Sequence, residues 1–150
     1  MLIAIDPGKR ESGVALFSDM GILSYASLVM PGHLPCRAST VVLEVMRVYP
    51  EKKVPPNDLI DVATAGAALA GRCVTDDGRI IGVYPRDWKG TMNGDAMTRR
   101  IAAYVASEKW DDRIEHAGAK THNILDAIGI GLWYFRKLNT RLLPVKRSVL

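Results

Sequence analysis

Cysteine and histidine are scarce. Only Cys36 and Cys73, and His33, His116 and His122, occur among 150 residues. The two cysteines have no ligand spacing and no histidine beside them, so they read as free thiols of a reducing compartment. The three histidines have no evident nucleophile partner, which argues against Ser-His-Asp or Cys-His chemistry. Long apolar runs are missing too. The strongest, Ile124 to Phe135, contains Asp126 and is too short to span a bilayer. Charges at Asp6 and at Lys9-Arg10-Glu11 follow the first apolar residues at once, so no signal peptide is expected, and the cytoplasm is the expected location.

What is present suits one soluble domain with a real core: 48% hydrophobic residues and a mean hydropathy of +0.04. The net charge of +4 is unevenly spread. Residues 1–78 carry 7 Lys+Arg against 9 Asp+Glu, and residues 79–150 carry 13 against 7. A basic C-terminal half fits a polyanionic partner, and equally a solvated basic surface.

The stretch Ile3-Ala4-Ile5-Asp6-Pro7-Gly8 draws the eye first. An apolar, β-branched run ends on an acid where a strand leaves the core. Asp before Pro-Gly is also a common turn former. Burying a carboxylate alone costs several kcal/mol, so other acids in the same place would change its meaning. Ser12–Phe17 and Ile22–Val29 read as two more strands, with a turn at Asp19-Met20-Gly21, giving an antiparallel meander. Met30–Ser39 reads as loop and Thr40–Met46 as a fourth strand with Glu44 inside it. Glu44 fits either an exposed edge face or a second costly carboxylate.

Val48–Asn57 reads as loop, closed by Asn57 as an N-cap, and Asp58–Gly71 as a helix rich in small residues. Thr75–Gly78 is an expected turn and Arg79–Tyr84 a fifth strand. Pro85–Gly94 reads as a loop in which Arg86, Trp88 and Lys89 offer phosphate pairing and base stacking, or simply a loop anchored by its Trp. Asp95–Ala106 is an amphipathic helix with Arg99 and Arg100 outward, and Lys109–Gly118 a polar loop. The last helix, Thr121–Leu138, is apolar nearly all round. Its exceptions are Asn123 and Asp126, three apart on one face, with His122 on an adjoining part. A basic tail, 139–150, follows the expected domain 1–138.

This order makes strands one, four and five parallel, with the first central. Asp6 and Glu44 are then neighbours with backbones about 5 Å apart, and the last helix brings Asp126 over both. Three carboxylates so close need cations between them. Hard oxygen ligands suit Mg²⁺ or Mn²⁺, and two such ions can clamp the attacking water and leaving oxygen of a phosphodiester.

The residues then resemble a family. IAIDPGKRESGVALF is similar to the first hairpin of the RuvC branch of the ribonuclease H-like superfamily, TVVLEVMRVYP to the strand with its second acid, and HNILDAIGIGLWY to its last helix. VYPRDWKG stands where that family has a basic DNA-contacting loop. The resemblance covers residues 2 to about 135 and looks more like a compact phage-type member than a cellular one. It implies a ribonuclease H-like α/β fold, a mixed five-stranded sheet with flanking helices. It also implies Mg²⁺-dependent cleavage of Holliday junctions, two ions per site with Mn²⁺ able to substitute, and a homodimer through helix 58–71. The implied ligands are Asp6, Glu44 and Asp126, with Asn123 or His122 as auxiliary. Arg47, Tyr49, Arg86, Trp88, Lys89, Arg99, Arg100 and Lys120 are the expected DNA contacts.

Three departures stand out. The family's long helix between strands three and four is missing, although roughly ten extended residues still reach about 33 Å. Asn123 replaces the acid or histidine that precedes the last Asp by three; it is either natural or an inactivating change. Arg47, with Tyr49 nearby, stands where an aromatic usually probes the junction. Two related alternatives remain: a ribosomal-RNA processing nuclease of the same superfamily, and a catalytically silent DNA-binding member. A sugar-kinase or actin-like nucleotide binder needs two such domains, and 150 residues hold one.

Overall fold

The computed structural model describes residues 1–33, 36–46 and 55–138. Three antiparallel strands, β1 (Leu2–Asp6), β2 (Ser12–Phe17) and β3 (Leu23–Val29), open the chain. Two more, β4 (Ala38–Glu44) and β5 (Val74–Val83), add in parallel on the other side of β1, giving the order β3-β2-β1-β4-β5. β1 is central, and all its residues up to Ile5 are buried.

Strand alternation sorts the core into two layers. Ile3, Ile5, Val14 and Val41 point to one face and meet Leu69, Ala70 and Cys73 of α1 (Pro56–Cys73). Leu2, Ala4, Ala15 and Val42 point to the other. There they meet α2 (Pro85–Lys89), α3 (Gly94–Ser107) and α4 (Thr121–Tyr134), through Trp88, Ile101, Ile124 and Ile128 among others. Asp6 and Glu44 continue the second alternation, so both carboxylates head toward α4. Buried from Ile124 to Leu132, α4 lies across β1 and β2 because its glycines admit large neighbours. A Cβ on Gly131 would stand 2.1 Å from the Phe17 ring.

Several expectations need correction. β4 starts two residues early, at Ala38, where Arg37 donates twice to the Val74 carbonyl. Asn57 is not the N-cap: Pro55 holds that place and Pro56 the first turn, where a fixed φ and a missing N–H cost nothing. The expected turn Thr75–Gly78 is a bulge inside β5, since Ala38 pairs with Val74 and Thr40 already with Arg79. Pro85–Lys89 is helical rather than loop, started by a proline, capped at its N-terminus by Asp87 accepting from the Tyr84 N–H, and closed at Gly90. Lys109–Gly118 is not merely polar. Trp110 is buried edge-on against Phe17 and Tyr104, and Ile114 bridges Ala26 on the outer edge of β3. α4 ends at Tyr134, four residues early, where Arg136 takes a left-handed φ of 56°. Arg47, Tyr49 and the 139–150 tail lie outside the described residues. Among the described residues, no helix is long and apolar enough to cross a membrane.

The tightest approach beside the acids is backbone on backbone: a Cβ on Gly13 of β2 would stand 2.1 Å from the Asn123 carbonyl oxygen. Gly71, on the exposed side of α1, has nothing within 4 Å. Gly13→Ala should therefore lower stability by about 1–3 kcal/mol, and Gly71→Ala should raise it by about 0.5–1 kcal/mol. Urea unfolding of the two variants checks the opposite signs.

Candidate active site

Three elements deliver the acids. The β1–β4 register, Ile5 opposite Leu43, carries Asp6 beside Glu44 as both strands leave the sheet. Asp126 comes from the second turn of α4, one helical step above them. Glu44 is 7% exposed and Asp126 9%. Their fields overlap. Burial, then Glu44 and then Asp126 raise the Asp6 carboxyl well above the usual carboxylate range, with Lys89 pulling the other way. Glu44 is raised by burial and to a lesser degree by Asp126, against the lowering pull of Lys89 and of a hydrogen bond from Trp88.

Two adjacent residues at the end of α2 answer these charges. The Trp88 indole Nε1–H donates to Glu44 Oε2 at 2.6 Å, and Lys89 Nζ donates to Asp126 Oδ2 at 2.6 Å. The Lys89 ammonium also lies 4.5 Å from the centre of the Trp88 ring. Burial works against its charge, yet the bond to Asp126 and the fields of Asp126, Glu44 and Asp6 leave its pKa raised. Asp126 Oδ1 is buried with no partner among the described residues.

The other expected site residues are distributed unevenly. Asn123 is half-buried one turn before Asp126, at the Gly13 contact. His122 is exposed, with Nδ1 2.9 Å from the Ala119 carbonyl. Arg86 and Arg99 are exposed. Lys120 is exposed and ion-paired with Glu11. Arg100 is not outward but half-buried, with Nη2 donating to the Leu138 carbonyl at 3.4 Å. Trp88 is no stacking platform: it is 4% exposed, its N–H is taken by Glu44 and Lys89 sits over its ring.

Three carboxylates are the kind of donor set that a hard divalent cation takes, and the Asp126 Oδ1 beside them is an oxygen left without a partner among the described residues. The arrangement is not closed around an ion. Among the described residues no three His, Cys, Asp or Glu side chains stand ready to hold one. An ammonium is bonded to one oxygen of Asp126, and the other is left without a partner among these residues. The link from Trp88 to Glu44 and from Lys89 to Asp126 was missed in the sequence. The signal available was electrostatic: acids gathered at the edge of a core call for a cation to offset them.

No protein-family model and no curated protein matches this chain. Twelve chains of solved structures do match. One is Thermus thermophilus RuvC in complex with a Holliday junction substrate, at 13% identity and a TM-score of 0.56, over 93% of this chain and 96% of that one. Another is a Thermus thermophilus RuvC structure at 14% identity and a TM-score of 0.54, with the same coverage. The chain has a RuvC-like fold. The expected ribonuclease H-like class, with three antiparallel strands, two parallel strands and flanking helices, is thereby met.

The charge balance has a pH signature. The folded chain raises Asp6 and Glu44, so it binds protons that the unfolded chain has released. Without metal, stability should therefore rise as pH is lowered from the raised native values toward about 4, the ordinary carboxylate range. Asp6→Asn should flatten that rise and lift the neutral-pH melting temperature by about 2–4 °C per kcal/mol of repulsion removed. Melting in chelator across this range measures it, and a lowered melting temperature in Asp6→Asn would count against repulsion in the site.

Proposed function

We propose that this protein is a structure-selective, divalent-metal-dependent DNA endonuclease that cuts four-way junctions. One observation carries the reading: Asp6, Glu44 and Asp126, distant in the chain, lie within one another's fields at the exit of the two central parallel strands. The RuvC-like fold supports it, and one of the matching structures holds a Holliday junction.

The ligands would be Asp6, Glu44, Asp126 and the Asn123 amide oxygen, with His122 free to turn in. When bound, two Mg²⁺ ions would supply activated water and stabilisation of the leaving oxygen; Mn²⁺ would substitute. The chain's own residues do the rest. Trp88 fixes the Glu44 carboxylate by its N–H, which limits one rotation of a ligand before substrate arrives. The exposed Arg86 and Arg99 offer charge to a phosphate track, and Lys120 joins it by leaving Glu11. The exposed side of α1, with Ile60, Ala63, Thr64, Ala67 and Gly71, supports a homodimer whose two sites nick symmetrically.

Glu44→Gln keeps an oxygen for the Trp88 N–H and removes the charge. It should reduce Mg²⁺-dependent junction cleavage by about 10³-fold or more and leave junction binding within a few-fold. A gel assay of a labelled junction with a metal titration decides it, and retained cleavage removes Glu44 from the chemistry. A second reading, a silent DNA-binding member, is favoured by Asn123 and by the ion pair on Asp126. In that case no nicking appears in Mn²⁺, and Asn123→Asp restores none. Faster cleavage of a structured RNA than of the junction would instead point to the RNA-processing branch.

A further inference from the structure

Lys89 is the last residue of α2, and the helix stops on Gly90 at a φ of 62°, with open space where a side chain would stand. Its ammonium sits among three carboxylates and is bonded to one of them, beside an oxygen of that same carboxylate which has no partner. One positive charge cannot balance three negative ones, so the cluster keeps its attraction for a doubly charged ion. The two cations cannot share Asp126 Oδ2 at contact distance. Lys89 has somewhere to go: it also lines an open cleft of about 360 Å³ with Gly90, Thr91, Met92 and Arg100. Four methylenes let the ammonium move between the acids and that cleft without unwinding α2. Trp88 stays behind, tied to Glu44.

We propose that Lys89 is an exchangeable internal counter-ion, which occupies the cation position of the acid cluster until a divalent ion displaces it. The proposal rests on reading Asp6, Glu44 and Asp126 as a cation site. Metal binding to the free protein is then a replacement rather than a filling, and it is weakened by the strength of the Lys89–Asp126 pair. Binding of a DNA phosphate that draws Lys89 toward the cleft strengthens metal binding, and by reciprocity metal strengthens DNA binding.

The test is Mn²⁺ binding to the DNA-free protein, followed by calorimetry and by the electron paramagnetic resonance of unbound Mn²⁺. Lys89→Met should bind Mn²⁺ about tenfold tighter than the wild type or more, and Lys89→Arg should keep the weak wild-type affinity. In the wild type, the ¹⁵Nζ–H signal of the bonded Lys89 ammonium should vanish or shift as Mg²⁺ is added, an outcome that needs no variant to fold. Equal Mn²⁺ affinities with an unmoved Lys89 signal overturn the exchange while leaving the metal site intact. No Mn²⁺ binding by either protein overturns the site reading and the exchange with it.

Discussion

Repulsion among three carboxylates, two buried and one half-buried, is the constraint on which the rest of this structure turns. Asp6 and Glu44 leave adjacent strands on the same face, and Asp126 closes over them from α4. Nothing in strand pairing or helix propensity asks for acids there; apolar residues would seal the same space at no electrostatic cost. Their fields place the cost where two parallel strands end, which is also where an α/β sheet opens to a ligand.

The surrounding chain is built to tolerate that cost. α2 follows β5 directly and is only five residues long, yet it contributes both groups that offset the acids. Trp88 is also a core residue, so burying its ring fixes the donor that holds Glu44. Lys89 follows it, so a seated Trp88 brings the lysine within reach of Asp126. Folding of the core and preparation of the site are thus one event. On the other side, Gly13 lets the first turn of α4 lie directly on β2, and that contact sets the height of Asp126 above the sheet.

The strands were legible because burial on both sides of β1 leaves an unbroken apolar run at the start of the chain. The three acids could be read from their elements: each interrupts an apolar run in which it makes no local sense. What stayed illegible depends on contacts between distant segments. Pro85–Lys89 carries residues that suit a loop as well as a helix start, and the docking of Trp88 into the core is the part no local pattern shows. Trp110 sits in a polar stretch whose core role is decided by Phe17, far away in the chain, and by Tyr104 at the end of α3. The β5 bulge has no local mark, because Thr75-Asp76-Asp77-Gly78 is turn-like whether it precedes a strand or swells one. Arg100 looked outward by helical spacing, and the chain after α4 folds back over it.

Asn123 and Lys89 make sense together. The resembling family has an acid or a histidine at the position of Asn123, and an acid there would bring a fourth negative charge. With a neutral amide the cluster has three acids, and a single ammonium offsets part of their repulsion. A fourth carboxylate would raise the repulsion faster than one lysine could offset it, since each added charge interacts with all those already present. A neutral side chain at 123 therefore adds no charge to the three acids, and leaves a repulsion that one ammonium can partly offset.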